Sequence, residues 1–349
     1  MLAWVVQLSR FLRAISLLLA WHSAVAIQII ESGVEAGDQT SVFWISSEEV
    51  LFYGPSGEHV IRSDGFRKPV HRLTTWNVRT KETKRFNEID AALCYYQGNI
   101  AFKEMDNALM RDWTSIGRFP GEIRRFDRAV QFDPLTCVPV EALSPLPAWT
   151  KNRSIMRLRP EHGFLDLGPR REQKNEPVRL VRNGSDKGIE LPIRRREFLP
   201  ALVRYYPHKG AYFFPGAFFR PDPRNPNGGY GVSPWPEGIA RPVKWLYPDG
   251  RVEELVIPYA KWARQALVPT KTGLLAIDST FFTVTGETPW DGLYLLDGKG
   301  WSRRLSRGLF RAHALSEDGC KLAAGRDLEP GRRQPEYWTV TVYDVCAGR

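Results

Sequence analysis

One unit recurs along this chain and limits its fold more than anything else: a short apolar strand, a tight turn usually containing Gly, and a second apolar strand. It reads at 41–54 (SVFWISSEEVLFYG), 91–104 (AALCYYQGNIAFKE), 154–168 (SIMRLRPEHGFLDLG), 202–216 (LVRYYPHKGAYFFPG), 266–279 (ALVPTKTGLLAIDS) and 311–325 (RAHALSEDGCKLAAG). The starts are roughly 45 to 65 residues apart, a period that marks repeated supersecondary units. The 29 Gly and 26 Pro break almost every apolar run before it could become a long helix, which favours many short strands joined by turns.

A second hairpin follows most copies, at 75–86, 178–193, 242–257 and 293–305, and 128–140 (RAVQFDPLTCVPV) is the candidate in the second copy. Two hairpins per period make a four-stranded antiparallel sheet, one blade of a β-propeller. The last copy ends with one further strand at 338–345, and an orphan strand at 27–30 precedes the first copy. Pairing that strand as the outer strand of the last blade would close the ring and remove two exposed edges. The expected fold is therefore all-β: a propeller of about six four-stranded blades, a single domain over 27–349. Its main structural competitor is a pair of β-sandwiches.

Residues 315–324 (LSEDGCKLAA) followed by 340–348 (VTVYDVCAG) resemble the repeat of TolB-like, WD-repeat-like propellers, which carry a Ser-x-Asp-Gly turn between strands and a later strand ending in Asp. Only this last copy matches well, so the resemblance implies architecture and no subfamily. It also implies a non-enzymatic envelope protein whose loop face binds a protein or polymer.

Residues 1–26 read as a signal peptide. Arg10 and Arg13 supply positive charge, 14–20 is an apolar run, Ala24-Val25-Ala26 is a small-x-small cleavage site, and no acid precedes Glu31. The competing reading is an uncleaved anchor, but the apolar run is short of the ~20 residues a bilayer requires. After cleavage 47 basic and 39 acidic residues leave a net charge of +8, with no transmembrane span expected. The location is then periplasmic or secreted. A basic exported protein favours a protein or an anionic envelope polymer as partner over nucleic acid. The protein is expected to be a monomer.

Four cysteines in an exported chain suggest two disulfides with three possible connectivities. In a blade the second and third strands are neighbours, so Cys320, which begins one, and Cys346, which ends the other, should meet. Cys94 and Cys137 follow by elimination, although Cys94 falls on a first strand. No Cys or His spacing suits a metal, and no cofactor is expected.

Two groups of binding residues stand out. Long loops between second and third strands gather on one face of a propeller, and the richest is 215–241, with Phe218, Phe219, Tyr230 and Trp235 among Pro and Gly. Aromatic rings on a stiff loop give low-entropy contact area for a sugar, peptide or protein. Trp290, in the loop 285–292, is a companion on that rim. The second group comes from aligning the copies on their turn glycine: six residues before it stand Arg157, Arg204 and His313. The next position is apolar throughout (Trp44, Leu93, Leu158, Tyr205, Val268, Ala314) and is expected to pack between blades. Strand alternation would then turn Arg157, Arg204 and His313 into the central channel, where they could hold a carboxylate or phosphate.

No catalytic motif is present: neither a Gly-x-Ser-x-Gly elbow, nor a phosphate loop, nor a His-Glu-x-x-His helix. The favoured reading is a binding or scaffold protein. The alternative is a propeller hydrolase or lyase acting on an anionic carbohydrate or ester. An enzyme should gather two or three carboxylates or histidines in one pocket, with at least one displaced pKa.

Overall fold

The computed structural model describes residues 27–36, 41–61, 65, 67–89, 93–106, 109–126, 130–133, 135–169, 176–185, 187–216, 218–221, 230–233, 241–257, 265–278, 291–296, 302–327 and 338–347. Six four-stranded antiparallel sheets arranged in a ring account for nearly all of it. The chain opens with β1 (Gln28–Ala36) and enters the first blade, β2 (Val42–Trp44), β3 (Glu49–Ile61), β4 (Arg67–Asn77) and β5 (Thr83–Ile89). The second blade is β6 (Leu93–Tyr96), β7 (Asn99–Asp106), β8 (Leu109–Arg118) and β9 (Ile123–Arg125), and the third is β10 (Arg153–Arg157), β11 (Phe164–Pro169), β12 (Pro177–Val181) and β13 (Ile189–Arg194).

The fourth blade begins with β14 (Arg204–Tyr206) and β15 (Ala211–Phe214). A separate two-stranded hairpin, β16 (Phe218–Pro221) and β17 (Tyr230–Ser233), interrupts it before β18 (Arg241–Leu246) and β19 (Val252–Ile257). The fifth blade is β20 (Gln265–Pro269), β21 (Leu274–Asp278), β22 (Gly292–Leu296) and β23 (Ser302–Arg307). The sixth is β24 (Phe310–Leu315), β25 (Lys321–Asp327) and β26 (Trp338–Asp344), with β1 as its fourth strand. The β-sandwich competitor is thereby set aside. Among the described residues no helix is long and apolar enough to cross a membrane.

The closure is made by β1 pairing antiparallel with β26, from Gln28↔Asp344 to Ala36↔Trp338, with a bulge between Glu31 and Glu35. Side chains reinforce the ladder: Ser32 Oγ lies 2.9 Å from Thr339 Oγ1, and Arg326 donates to Glu31 at 3.0 Å. Alternation along each strand sends side chains to both faces of a blade, and each face meets a neighbouring blade. The apolar core consequently sits between blades. One cluster joins the sixth and first blades around Trp76, Trp338, Phe52 and Val342, another joins the first and second around Tyr53, Leu73 and Phe102. A third joins the third and fourth blades around Leu165, Leu180, Tyr212 and Phe214, and the largest spans the fourth, fifth and sixth around Phe213, Leu275, Tyr294 and Tyr343.

The second blade corrects the sequence reading in one respect. Its outer hairpin is β8–β9, not residues 128–140. The described residues of that segment, 130–133 and 135–140, lie outside the blade against β6 and the start of β7: Asn99 Nδ2 donates to the Thr136 carbonyl at 3.4 Å, and Asp133 Oδ1 caps the Leu135 and Thr136 amides at 3.0 Å. Cys94 and Cys137 are bonded there (Cα–Cα 5.6 Å), which ties the long connection between the second and third blades to an innermost strand. Cys320 and Cys346 are bonded at the base of the sixth blade (Cα–Cα 5.3 Å), joining the start of its second strand to the end of its third.

Candidate functional site

Each innermost strand runs toward the face that carries the short turns, so the ends of β2, β6, β14 and β24 converge on the ring axis there. Between them lies a cavity of about 610 Å³. Phe43, Trp44 and the turn 45–47 come from the first blade and Tyr95, Tyr96 and Gln97 from the second. Tyr205 comes from the fourth, and residues 314–318 from the sixth. The indole of Trp44 donates to the Ala314 carbonyl at 3.0 Å, and the Lys321 ammonium to the Ser47 carbonyl at 2.9 Å, so the first and sixth blades are fastened together at the rim. Arg118 holds the opposite turn by donating to the Gln97 carbonyl at 2.6 Å.

The turn that follows β10 in the third blade packs against two of the lining aromatics. The Arg159 guanidinium lies 4.0 Å from the Tyr205 ring centroid and 5.3 Å from that of Tyr96, a cation held against aromatic faces. The Arg159 amide donates to the Tyr212 hydroxyl at 2.8 Å, and His162 Nδ1 meets the same hydroxyl at 2.8 Å. Burial pushes the Tyr212 phenol up and the His162 imidazole down. Both are therefore neutral near pH 7. At the far rim burial pushes the Asp318 carboxyl up, but the Ser316 hydroxyl (2.6 Å) and the Cys320 amide (3.0 Å) outweigh it and hold the carboxyl below its usual range. Gly319 (φ +76°) passes beneath the His208 ring so closely that a β-carbon would stand 2.6 Å from it, and Lys271 donates its amide to the Gly319 carbonyl at 2.9 Å. The turns of the fourth, fifth and sixth blades thus meet beside the cavity.

The residues singled out in the sequence fall in different places. Phe218 and Phe219 lie on β16 and Tyr230 on β17, a hairpin on the long-loop face, but their side chains are outside the described part of the structure. Trp235, Trp290 and the signal segment 1–26 also lie outside the described residues. Arg157 donates through both Nη atoms to the Ser144 carbonyl at 3.1 Å and lines a second cavity of about 600 Å³ between residues 143–147 and the third blade. Arg204 is exposed and donates to the Ala201 and Val203 carbonyls at 2.7 and 2.9 Å. Burial, with the Arg204 charge as the second cause, pushes the His313 imidazole down to about 4.

The reading missed the cavity's own walls. Trp44, Tyr205 and Ala314 line it while also packing against the clusters between blades, as their position in the repeat predicted. The usable signal was the Tyr-Tyr pair ending an innermost strand in two copies, Tyr95-Tyr96 and Tyr205-Tyr206.

The depressed histidines predict an acid-labile fold. A neutral His313 favours the native state fully above pH 6.5, and that contribution is lost as pH falls from 6.5 toward 4. Allowing for its partial exposure, the loss is about 2 kcal/mol, and His162 and His208, both lowered by burial, act in the same direction. Urea midpoints at pH 7 and pH 5 should differ clearly in the natural chain and by less in His313→Gln. Equal slopes for the two chains would show that His313 does not titrate as described.

The strand order and the closure by β1 define a six-bladed β-propeller. No family model matches the chain, and no curated protein matches it. Solved structures similar to it include a streptogramin B lyase (10% identity, TM-score 0.36, covering 91% of this chain and 97% of that one). A catalytically inactive virginiamycin B lyase from Staphylococcus aureus with quinupristin gives 11% identity and TM-score 0.36, over 91% of this chain and 99% of that one. Pyrococcus horikoshii acylaminoacyl peptidase gives 12% and 0.32, over 85% of this chain and 43% of that one. Likeness at that level carries no argument about activity, and function has to be argued from this chain's own cavity.

Proposed function

We infer that this is an exported, non-enzymatic binding protein of the cell envelope, a TolB-like propeller in the broad sense, that receives its ligand at the ring centre on the short-turn face. The observation that carries this reading is the central cavity, of about 610 Å³, to which four blades contribute and around which Trp44, Tyr95, Tyr96 and Tyr205 stand. A concave, aromatic site with a few placed polar groups on a rigid scaffold is suited to holding a small molecule or the end of a polymer. Binding is favoured over hydrolysis or elimination because the cavity lining offers aromatic faces and carboxylates at one rim only, with Asp318 already engaged by its own turn. Export is supported by the character of residues 1–26 and by two disulfides, which persist in oxidising compartments. On this account residues 27–349 form the mature single domain.

Ser46→Trp tests the reading, since Ser46 is an exposed rim residue whose replacement would fill the cavity without entering the core. Ligands from an envelope extract, detected by native mass spectrometry, should remain bound to the natural chain and be lost from the variant, with thermal midpoints alike. Retention by both proteins would move the site elsewhere, and the long-loop face would be the next place to examine.

A further inference from the structure

Five half-buried aromatic residues line the central cavity, Phe43, Trp44, Tyr95, Tyr96 and Tyr205, and its charged lining residues are Glu317 and Asp318. Among the described residues no Lys, Arg or His lines it. Two contacts hold the rings in place. The Trp44 indole N–H is spent on the Ala314 carbonyl, and the Phe43 and Tyr95 rings pack with centroids 6.1 Å apart. The faces of such rings carry negative potential. The two carboxylates differ. Asp318 already accepts from the Ser316 hydroxyl and the Cys320 amide, whereas Glu317 is exposed and among the described residues has no hydrogen-bond or ion-pair partner. Burial pushes the Tyr95 and Tyr96 phenols up, and the Glu317 charge adds to the rise in both, so this free carboxylate stands within electrostatic reach of two of the rings.

We propose that the central cavity takes a ligand with a quaternary ammonium head group. The inference rests on the reading of this cavity as the binding site. The sign of the lining decides the class. An anion would meet only carboxylates among the charged groups that line the cavity. A neutral group could lie on the rings but would draw nothing from the Glu317 charge. A cation is attracted by ring faces and carboxylate at once. A primary ammonium brings three N–H donors, each of which needs an acceptor on leaving water. A quaternary one brings none and presents methyl groups to the rings. The cations nearby stand outside the lining and are engaged. Arg159 lies 3.9 Å from Glu161, Arg118 donates to the Gln97 carbonyl at 2.6 Å, and Lys321 donates to the Ser47 carbonyl at 2.9 Å. Because Arg159 already covers the Tyr205 ring at 4.0 Å, the head group belongs toward Trp44 and Tyr95. The net positive charge of the chain is spread over the whole molecule, and beyond ~8 Å physiological salt screens it.

The test is calorimetric titration of the mature chain with probes of one shape and different charge. These are choline, its neutral isostere 3,3-dimethylbutan-1-ol and the anion 3,3-dimethylbutanoate, with butylammonium as the primary amine. Choline is expected to bind about tenfold tighter than any of the other three. In Glu317→Gln, a change at an exposed residue, choline should weaken about fivefold while the neutral isostere is unaffected, and Ser46→Trp should abolish binding of every probe. Equal or tighter binding of another probe, still abolished by Ser46→Trp, overturns the quaternary class and keeps the cavity as the site. Binding that Ser46→Trp leaves intact overturns the cavity reading itself. Failure of choline to bind below about 10 mM, or an unchanged choline affinity in Glu317→Gln, overturns the proposal, and the cavity reading then rests on the envelope-extract experiment alone.

Discussion

A chain beginning at residue 37, which lacks β1, is expected to lose about 5 kcal/mol or more of folding stability, an amount comparable with the whole margin of an ordinary domain. The loss has three sources. Six residue pairs of the β1–β26 ladder disappear, and each backbone group left unmatched on the edge of β26 forfeits a hydrogen bond worth about 1 kcal/mol. The Arg326–Glu31 pair and the Ser32–Thr339 contact go with them. Ile30, Val34 and Ala36 also leave the cluster that joins the last blade to the first, and an apolar side chain is worth roughly 1.5–3 kcal/mol when fully buried. Urea unfolding of residues 27–349 and 37–349 reads the difference directly. Adding the peptide QIIESGVEA in trans should recover part of it, since a freed edge accepts a strand. Equal midpoints would mean that the ring does not depend on its closing strand.

Reduction of the two disulfides is expected to be as damaging. Cys94–Cys137 closes a loop of 43 residues' separation and Cys320–Cys346 one of 26. Chain-entropy reasoning assigns such loops about 3–4 kcal/mol each. The two should fail differently. Losing Cys94–Cys137 frees the connection between the second and third blades, where among the described residues no apolar cluster of the kind found between other blades takes its place. Losing Cys320–Cys346 loosens the Asp318 turn at the rim of the cavity. Alanine replacement of each pair, followed by urea unfolding, should lower the midpoint in both cases, and only the second should weaken ligand binding. Midpoints unaffected by a reductant would contradict this account of both bonds.

The architecture was legible because each copy of the repeat carries its own turn chemistry between apolar strands, as in Ser316–Gly319 and Tyr95–Gly98, and because two unpaired strands stood at opposite ends of the chain. The second blade was less legible. β8 reads LMRDWTSIGR, with little apolar alternation, whereas residues 128–140 carry apolar residues on both sides of a turn and close one antiparallel bridge, Phe132–Pro139, outside the blade. Only contacts distant in sequence, the Cys94–Cys137 bond and the Asn99–Thr136 hydrogen bond among them, decide between the two. The site was hardest to read. Aligning the copies on the turn glycine treated one side of the innermost strand as channel-facing, but both sides of a blade meet other blades, and the cavity is built from strand ends and turns. Arg159 belongs to a turn and packs on Tyr96 and Tyr205, residues distant in sequence, so no local pattern announces the cluster. The sequence also drew attention to the loop 215–241 through its aromatic content, which speaks to possible contact area and not to which face of the ring is used.

Hydrogen exchange of the mature chain, with and without a protein-depleted envelope extract, bears most directly on the central claim because the two faces of the ring are composed of different segments. Slower exchange at residues 43–47, 95–98, 205–206 and 314–318 together, with 218–233 unchanged, is the predicted result. Protection confined to 218–233 and 285–292 would contradict it and place binding on the long-loop face.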